Sequence, residues 1–202
     1  MPGSFIDPSM NGQLQAVFSR MERPIVLEVQ GASRGRGHEL FNAMAELCAL
    51  TTKLSLKPAE EGEDLPCVRI LDERGRWTGL AFHGIPGGRE FTSFMLGIYN
   101  ASGRGQSVDP AIRQRIEAIS HPVRMRVLVS NECMVCPELV IPAQRIATLN
   151  PLISCEIYDI ALFPNLAREF GAVAVPALKA GSLPLKFGAM PIESVLDIVE
   201  RA

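Results

Sequence analysis

Met125-Arg126-Val127-Leu128-Val129-Ser130-Asn131-Glu132-Cys133-Met134-Val135-Cys136-Pro137 is the stretch on which the fold reading turns. Residues 125–129 form a β-rich apolar run that gives out near Ser130. Beyond it, residues 136–149 read as a helix, with Val140, Ile141, Ile146 and Leu149 roughly on one face. Pro137 suits the first helical turn, where a missing N–H is no loss. Two cysteines separated by two residues therefore stand where a strand gives way to a helix.

Working outward, the same arrangement occurs twice. An amphipathic stretch over 111–120 precedes His121-Pro122 and this strand; residues 13–21 precede Arg23-Pro24 and a strand over 25–29. The helix over 136–149 matches one over 38–50, and short strands follow at 153–158 and 53–57. Val175-Pro176 leads into a strand over 177–179, as Leu65-Pro66 leads into one over 67–71. Strands over 185–187 and 78–83 end at Gly188 and Gly84, and closing helices cover 191–201 and 88–99. A helix around 161–170 has only a weak counterpart in the first copy. The Gly- and Ser-containing stretch 101–109 reads as a linker. Strands alternating with helices and finishing in a hairpin indicate an α/β fold with a mixed sheet in each copy.

Composition narrows the function classes. The chain has 202 residues, 47% hydrophobic and 21% charged, and a formal net charge of -2, which fits an ordinary globular protein. No cluster of Lys and Arg builds a phosphate-binding face, which argues against nucleic acid as a partner. No apolar run approaches the roughly 20 residues that span a bilayer. The opening Met1-Pro2-Gly3-Ser4 lacks the basic-then-apolar layout of a secretory signal, so the expected location is the cytoplasm. Five cysteines are an odd number, a poor fit to a secreted disulfide framework.

A thiol does redox work as thiolate, and a free cysteine has a pKa of about 8.5. Unsatisfied N–H groups and the positive end of the helix dipole favour a negative sulfur at Cys133. Two intervening residues bring the Cys136 sulfur within bonding distance. Cys133 is thus the expected exposed attacking thiolate and Cys136, inside the helix, the resolving thiol. The neighbouring Glu132 carboxylate opposes thiolate formation, so moderate activation at the reducing end of such centres is expected.

Other readings of the pair are structural zinc and inert packing. One Cys-x-x-Cys supplies two of four zinc ligands, and His38, His83 and His121 are not spaced as a ligand pair, so no metal is expected. Cys48, Cys67 and Cys155 lie in apolar helix or strand contexts and read as core thiols. Residues 31–37, with Gly35 and Gly37, lack the Gly-Lys-Ser/Thr ending of a phosphate loop and read as a flexible turn. That turn occupies the place of the dithiol in the first copy, which is therefore redox-silent.

The duplicated pattern resembles tandem thioredoxin-like units: a redox-silent unit over 1–105 and a unit carrying the dithiol over 106–202. More specifically, the chain resembles the N-terminal domain of the flavoprotein subunit of bacterial alkyl hydroperoxide reductase. Arg89-Glu90-Phe91-Thr92-Ser93, Cys133-Met134-Val135-Cys136-Pro137, Leu149-Asn150-Pro151 and Val173-Ala174-Val175-Pro176-Ala177 carry the likeness, which covers nearly the whole chain. The thioredoxin-like fold implies a cis Val175-Pro176 bond lying against the dithiol and helping to form the substrate groove. X-Pro bonds are cis in only about 5% of cases without such a context. The family likeness implies that Glu90 lies near the dithiol and assists proton handling, although the helix dipole also favours a glutamate there.

The resemblance further implies electron flow from a flavin- and pyridine-nucleotide-binding module to a peroxiredoxin. Here the sequence stops after Arg201-Ala202. The expectation is therefore of no bound flavin or NAD(P)H, these being confined to a separate flavoprotein disulfide reductase that acts as donor. Met134-Val135 replaces the more polar His-Asn common in the family, on the surface where a partner docks. The function expected is thiol–disulfide electron transfer to a peroxiredoxin or other disulfide protein. The alternatives are a glutaredoxin-like general protein disulfide reductase and a non-catalytic protein-binding module of the same fold.

Overall fold

The computed structural model of the protein describes residues 5–202; the Met1–Ser4 opening lies outside the described residues. The first half of the chain supplies α1 (Asn11–Arg20), β1 (Ile25–Gln30), α2 (Gly35–Cys48), β2 (Leu54–Ala59), β3 (Cys67–Leu71), β4 (Trp77–His83) and α3 (Glu90–Ala101). The second supplies α4 (Pro110–Ala118), β5 (Val123–Val129), α5 (Pro137–Leu149), β6 (Ile153–Asp159), α6 (Pro164–Glu169), β7 (Ala177–Ala180), β8 (Lys186–Phe187) and α7 (Ile192–Val199). Local chemistry accounts for the boundaries. At α4, the Asp109 side chain accepts from the Ala111 N–H at 2.8 Å and Pro110 opens the first turn.

The eight strands form one mixed sheet in the order β2-β1-β3-β4-β6-β5-β7-β8. Within each half the pairing is the same: β1 is parallel to β2 and antiparallel to β3, as β5 is parallel to β6 and antiparallel to β7. The sequence suggested two sheets, one per copy. Instead the copies share one, because β4 pairs in parallel with β6, Leu80 opposite Cys155 through His83 opposite Tyr158.

Alternation along the strands separates two layers. Val123, Met125 and Val127 of β5 face the main core with Leu40, Met44, Phe94, Leu139 and Ile146 from the helices. Leu128 and Tyr158 point to the other face, where α6 covers them with Phe163 and Phe170 beside it. This cover is specific to the second half, in line with the weak sequence counterpart of α6.

Two expectations change. Gly35 and Gly37 lie inside α2 instead of in a turn, so the turn is confined to residues 31–34. Gly37 is packed so closely that a Cβ would come within 1.7 Å of the Gly31 carbonyl oxygen. The 101–109 stretch begins inside α3 and is then pinned in place. Arg145 of α5 donates to the Arg104 carbonyl at 2.6 Å and to that of Gln106, while Asn100 pairs with Gln106. Carbonyls that would otherwise need water are thereby satisfied.

A polar network sits at the seam between the halves. The Glu156 carboxylate accepts two bonds from Arg124, at 2.5 and 2.7 Å, and one from the Tyr158 hydroxyl at 3.2 Å. His83 Nε2 lies 3.3 Å away, its ring stacked on Tyr158 with centroids 4.0 Å apart. Burial alone would raise the Glu156 pKa, but the bonds from His83 and Arg124 prevail and hold it down at about 2. Glu156→Gln is expected to destabilise the protein by about 2 kcal/mol at neutral pH in urea unfolding. A depressed carboxyl pKa contributes stability above its ordinary value of 4.5 that is lost towards 2, so the difference between the two proteins should close as the pH falls through that window.

Candidate active site

β5 delivers the chain to Ser130, whose carbonyl accepts from the Cys133 N–H at 2.9 Å and closes a turn. Cys136 follows as the N-cap of α5, and Pro137 takes the first helical position. Cys133 and Cys136 are joined in a disulfide with Cα atoms 5.5 Å apart. Cys136 is fully buried in the main core. Cys133 is half-buried, not exposed, because it packs on that core while Met134 and Val135, 65% and 45% exposed, form the outer rim. One sulfur is thus within reach of a partner and the other is shielded.

The Val175-Pro176 bond is cis. β7 pairs Ala177 with Leu128, so Pro176 abuts the end of β5 at the mouth of the dithiol loop. Pro176 is buried and Val175 half-buried, while Val173 stands 90% exposed just upstream.

Glu90 comes from the other half of the chain. It is the first residue of α3, a helix that packs on α5, and it is completely buried. The Ser93 hydroxyl donates to one carboxylate oxygen; the other has no hydrogen-bond partner. Burial is the main reason its pKa is pushed up to about 7; the Ser93 bond opposes the rise and the nearby Asp159 carboxyl adds to it. Asp159, at the end of β6, is itself raised by burial.

Asn131, Asp159 and Gly88 were not singled out in the sequence. Asn131 stands two residues before Cys133, and its amide bridges Ile85, Gly87 and Asp159. Gly88 adopts φ of 52°, and a Cβ there would lie 2.3 Å from the Asn131 carbonyl oxygen. The signal available was the Gly87-Gly88 pair ahead of Glu90, a sign of close backbone approach.

The first half has a cis Leu65-Pro66 bond at the equivalent place. There it faces a cleft of about 580 Å³ lined by Gly31, Ser33, Arg34, Arg36, Leu65 and Pro66, with no thiol in the lining. Cys67, next to Pro66, is buried, and burial pushes its thiol pKa well up, as it does for Cys155 and, to about 11, for Cys48. Among the described residues no group of three or more His, Cys, Asp or Glu is placed to hold a metal, and no helix is long and apolar enough to cross a membrane.

The N-terminal domain of alkylhydroperoxide reductase AhpF from Enterococcus faecalis superposes with a TM-score of 0.91 and is 30% identical, the match covering 96% of this chain and 99% of that one. The chain belongs to the family of AhpF N-terminal domains. No protein-family model matches it. Among curated proteins, the AhpF component of Pseudomonas aeruginosa alkyl hydroperoxide reductase is 26% identical over 195 residues, and a Bacillus subtilis NADH dehydrogenase 28% over 191. The matches take in 96% and 95% of this chain, which spans about 37% of the length of either relative. A protein disulfide oxidoreductase from Aeropyrum pernix, 18% identical, shares the fold with a TM-score of 0.83 over 98% of this chain and 94% of its own.

Within an AhpF-type N-terminal domain, a buried carboxyl titrating near neutrality leaves a measurable trace in stability. The folded state keeps the Glu90 proton up to about pH 7, whereas the unfolded chain loses it near 4.5. Stability from this group is therefore complete below about 4.5 and declines as pH rises towards 7, by on the order of 3 kcal/mol. Glu90→Gln should flatten that decline in denaturant titrations run from pH 5 to pH 8.

Proposed function

We propose that the chain is a thiol–disulfide oxidoreductase that passes two electrons through the Cys133–Cys136 pair to a disulfide-bearing partner, a peroxiredoxin being the favoured acceptor. The observation that carries this reading is a disulfide at the start of α5 with one half-buried and one buried sulfur, beside the cis bond of Val175-Pro176. Such a site suits exchange at Cys133 and resolution by Cys136.

In the reduced protein, the Cys133 thiolate attacks one sulfur of the partner's disulfide. That S–S bond breaks, the leaving thiolate takes up a proton, and a mixed disulfide remains on Cys133. Cys136 gives up its proton and attacks the Cys133 sulfur, expelling the second partner thiol and forming the intramolecular disulfide. The partner has gained two electrons and the dithiol has lost them. Glu90 is the group suited to take the Cys136 proton, since a buried carboxyl poised near 7 exchanges protons at physiological pH. Val175 and Pro176 form the floor on which an extended partner segment lies, and Met134 and Val135 present an apolar rim to it.

A flavoprotein disulfide reductase carrying flavin and NAD(P)H is the donor that restores the dithiol. Residues 1–105 act as a redox-silent unit that scaffolds and docks, and residues 106–202 as the redox unit; their equivalent strand pairings support that division. Three free thiols, Cys48, Cys67 and Cys155, suit a reducing cytoplasm.

Cys133→Ser should abolish turnover, while Cys136→Ser should trap a mixed disulfide with the acceptor, visible by mass spectrometry. In a redox titration with alkylation of free thiols, the pair should oxidise reversibly at a potential of about -270 mV. A pair that never oxidises would leave a protein-binding module as the better account, and turnover with glutathione in place of a flavoprotein would favour a general disulfide reductase.

A further inference from the structure

Beside the dithiol loop, Asn131 of the second half bonds to the first through both its side chain and its backbone. Asn131 Nδ2 donates to the Ile85 carbonyl at 3.1 Å and to Asp159 Oδ2 at 3.2 Å, and its Oδ1 accepts from the Gly87 N–H at 3.3 Å. Its backbone carbonyl accepts from the Arg89 N–H at 3.2 Å. Three of these four bonds therefore hold the 85–89 turn that leads straight into Glu90, and the fourth holds the carboxyl of Asp159. Asp159 is anchored from its other side by the Ala161 N–H at 3.0 Å. The approach leaves no room for a side chain at Gly88.

We propose that Asn131 is the positioning residue of the proton-handling site, clasping the 85–89 turn of the first half to the dithiol loop and Asp159 of the second so that Glu90 stays enclosed beside the dithiol. The inference rests on the proposed role of Glu90 in taking the Cys136 proton. Asn131 suits the task because its amide donates and accepts at once and adds no charge. An aspartate in its place accepts from Gly87 but cannot donate to Ile85 or Asp159, and would set a third carboxylate against two buried ones.

The charged groups around Glu90 are few. Asp159 from β6 is the one acting on it directly. The dithiol loop and first turn of α5 carry Glu132 and Glu138, both exposed. From β4, His83 is engaged with Glu156, and α1 bears only Arg20, in its last turn.

The test follows resolution of the mixed disulfide in the full chain. Reduced protein is mixed with a chromogenic aromatic disulfide under stopped flow, and the rate of the second thiol release is recorded against pH. The wild type should show a midpoint near 7, absent in Glu90→Gln. Asn131→Ala, which opens the turn to water, should move the midpoint down towards the ordinary carboxylate range and slow resolution about tenfold. Asn131→Asp should move it upwards. Opposite displacements by the two variants support the positioning role, since a merely structural asparagine would shift neither. A wild-type midpoint in both Asn131 variants, with Glu90→Gln still abolishing the inflection, overturns the proposal and leaves the role of Glu90 standing. An inflection that survives Glu90→Gln removes both.

Discussion

The parallel pairing of β4 with β6 is the contact on which the remaining organisation depends. Leu80 to His83 and Cys155 to Tyr158 run side by side, which turns two four-stranded sets into one sheet. Each of those strands would otherwise be an edge with unpaired backbone groups. Joined, they fix the end of β4 next to the end of β6. The turn after His83 is then carried across to Asn131, and α3 is laid along α5. The turn leading into Glu90 of one half is brought against Asn131 of the other because a backbone ladder holds them in register.

Two buried carboxylates near that seam show how surroundings decide protonation. Glu156 is supplied with donors from Arg124, His83 and Tyr158 and stays ionised to about pH 2. Glu90, as thoroughly buried, has only the Ser93 hydroxyl and a neighbouring acidic group, and holds its proton to about 7. The first is bound into structure. The second is left under-satisfied, as a group must be if it is to change state at moderate pH.

Much of this was legible in the chain itself. The X-Pro-strand pattern repeated in order, so the eight strands and most helices fell within a few residues of their places. Cys-x-x-Cys at a strand-to-helix junction is legible in a short segment, and its two sulfurs are joined at the start of α5. What escaped reading depends on contacts distant in sequence. The stretch 101–109 looked like a free linker because nothing local announces the Arg145 guanidinium that holds it. Two glycines in the first turn of α2 run against helix propensity; the close packing of Gly37 on Gly31 explains the second, and Gly35 takes a positive φ of 51°. Asn131 and Asp159 are ordinary polar residues until the sheet brings them together across 28 positions of chain. Likewise the sharing of one sheet by both copies is a choice between exposed and paired edges, which local pattern does not encode.

The unequal burial of the two sulfurs has a consequence for traffic. In the proposed carrier role, Cys136 sealed in the core and Cys133 alone at the rim leave a single doorway for electrons. Whatever loads the pair and whatever unloads it must dock at that same doorway and form its bond to the same atom. The two cannot be seated together, so a carrier built this way alternates between them, one visitor leaving before the next arrives. Ping-pong steady-state kinetics, with an excess of either visitor obstructing the other, are the form that such a carrier would take.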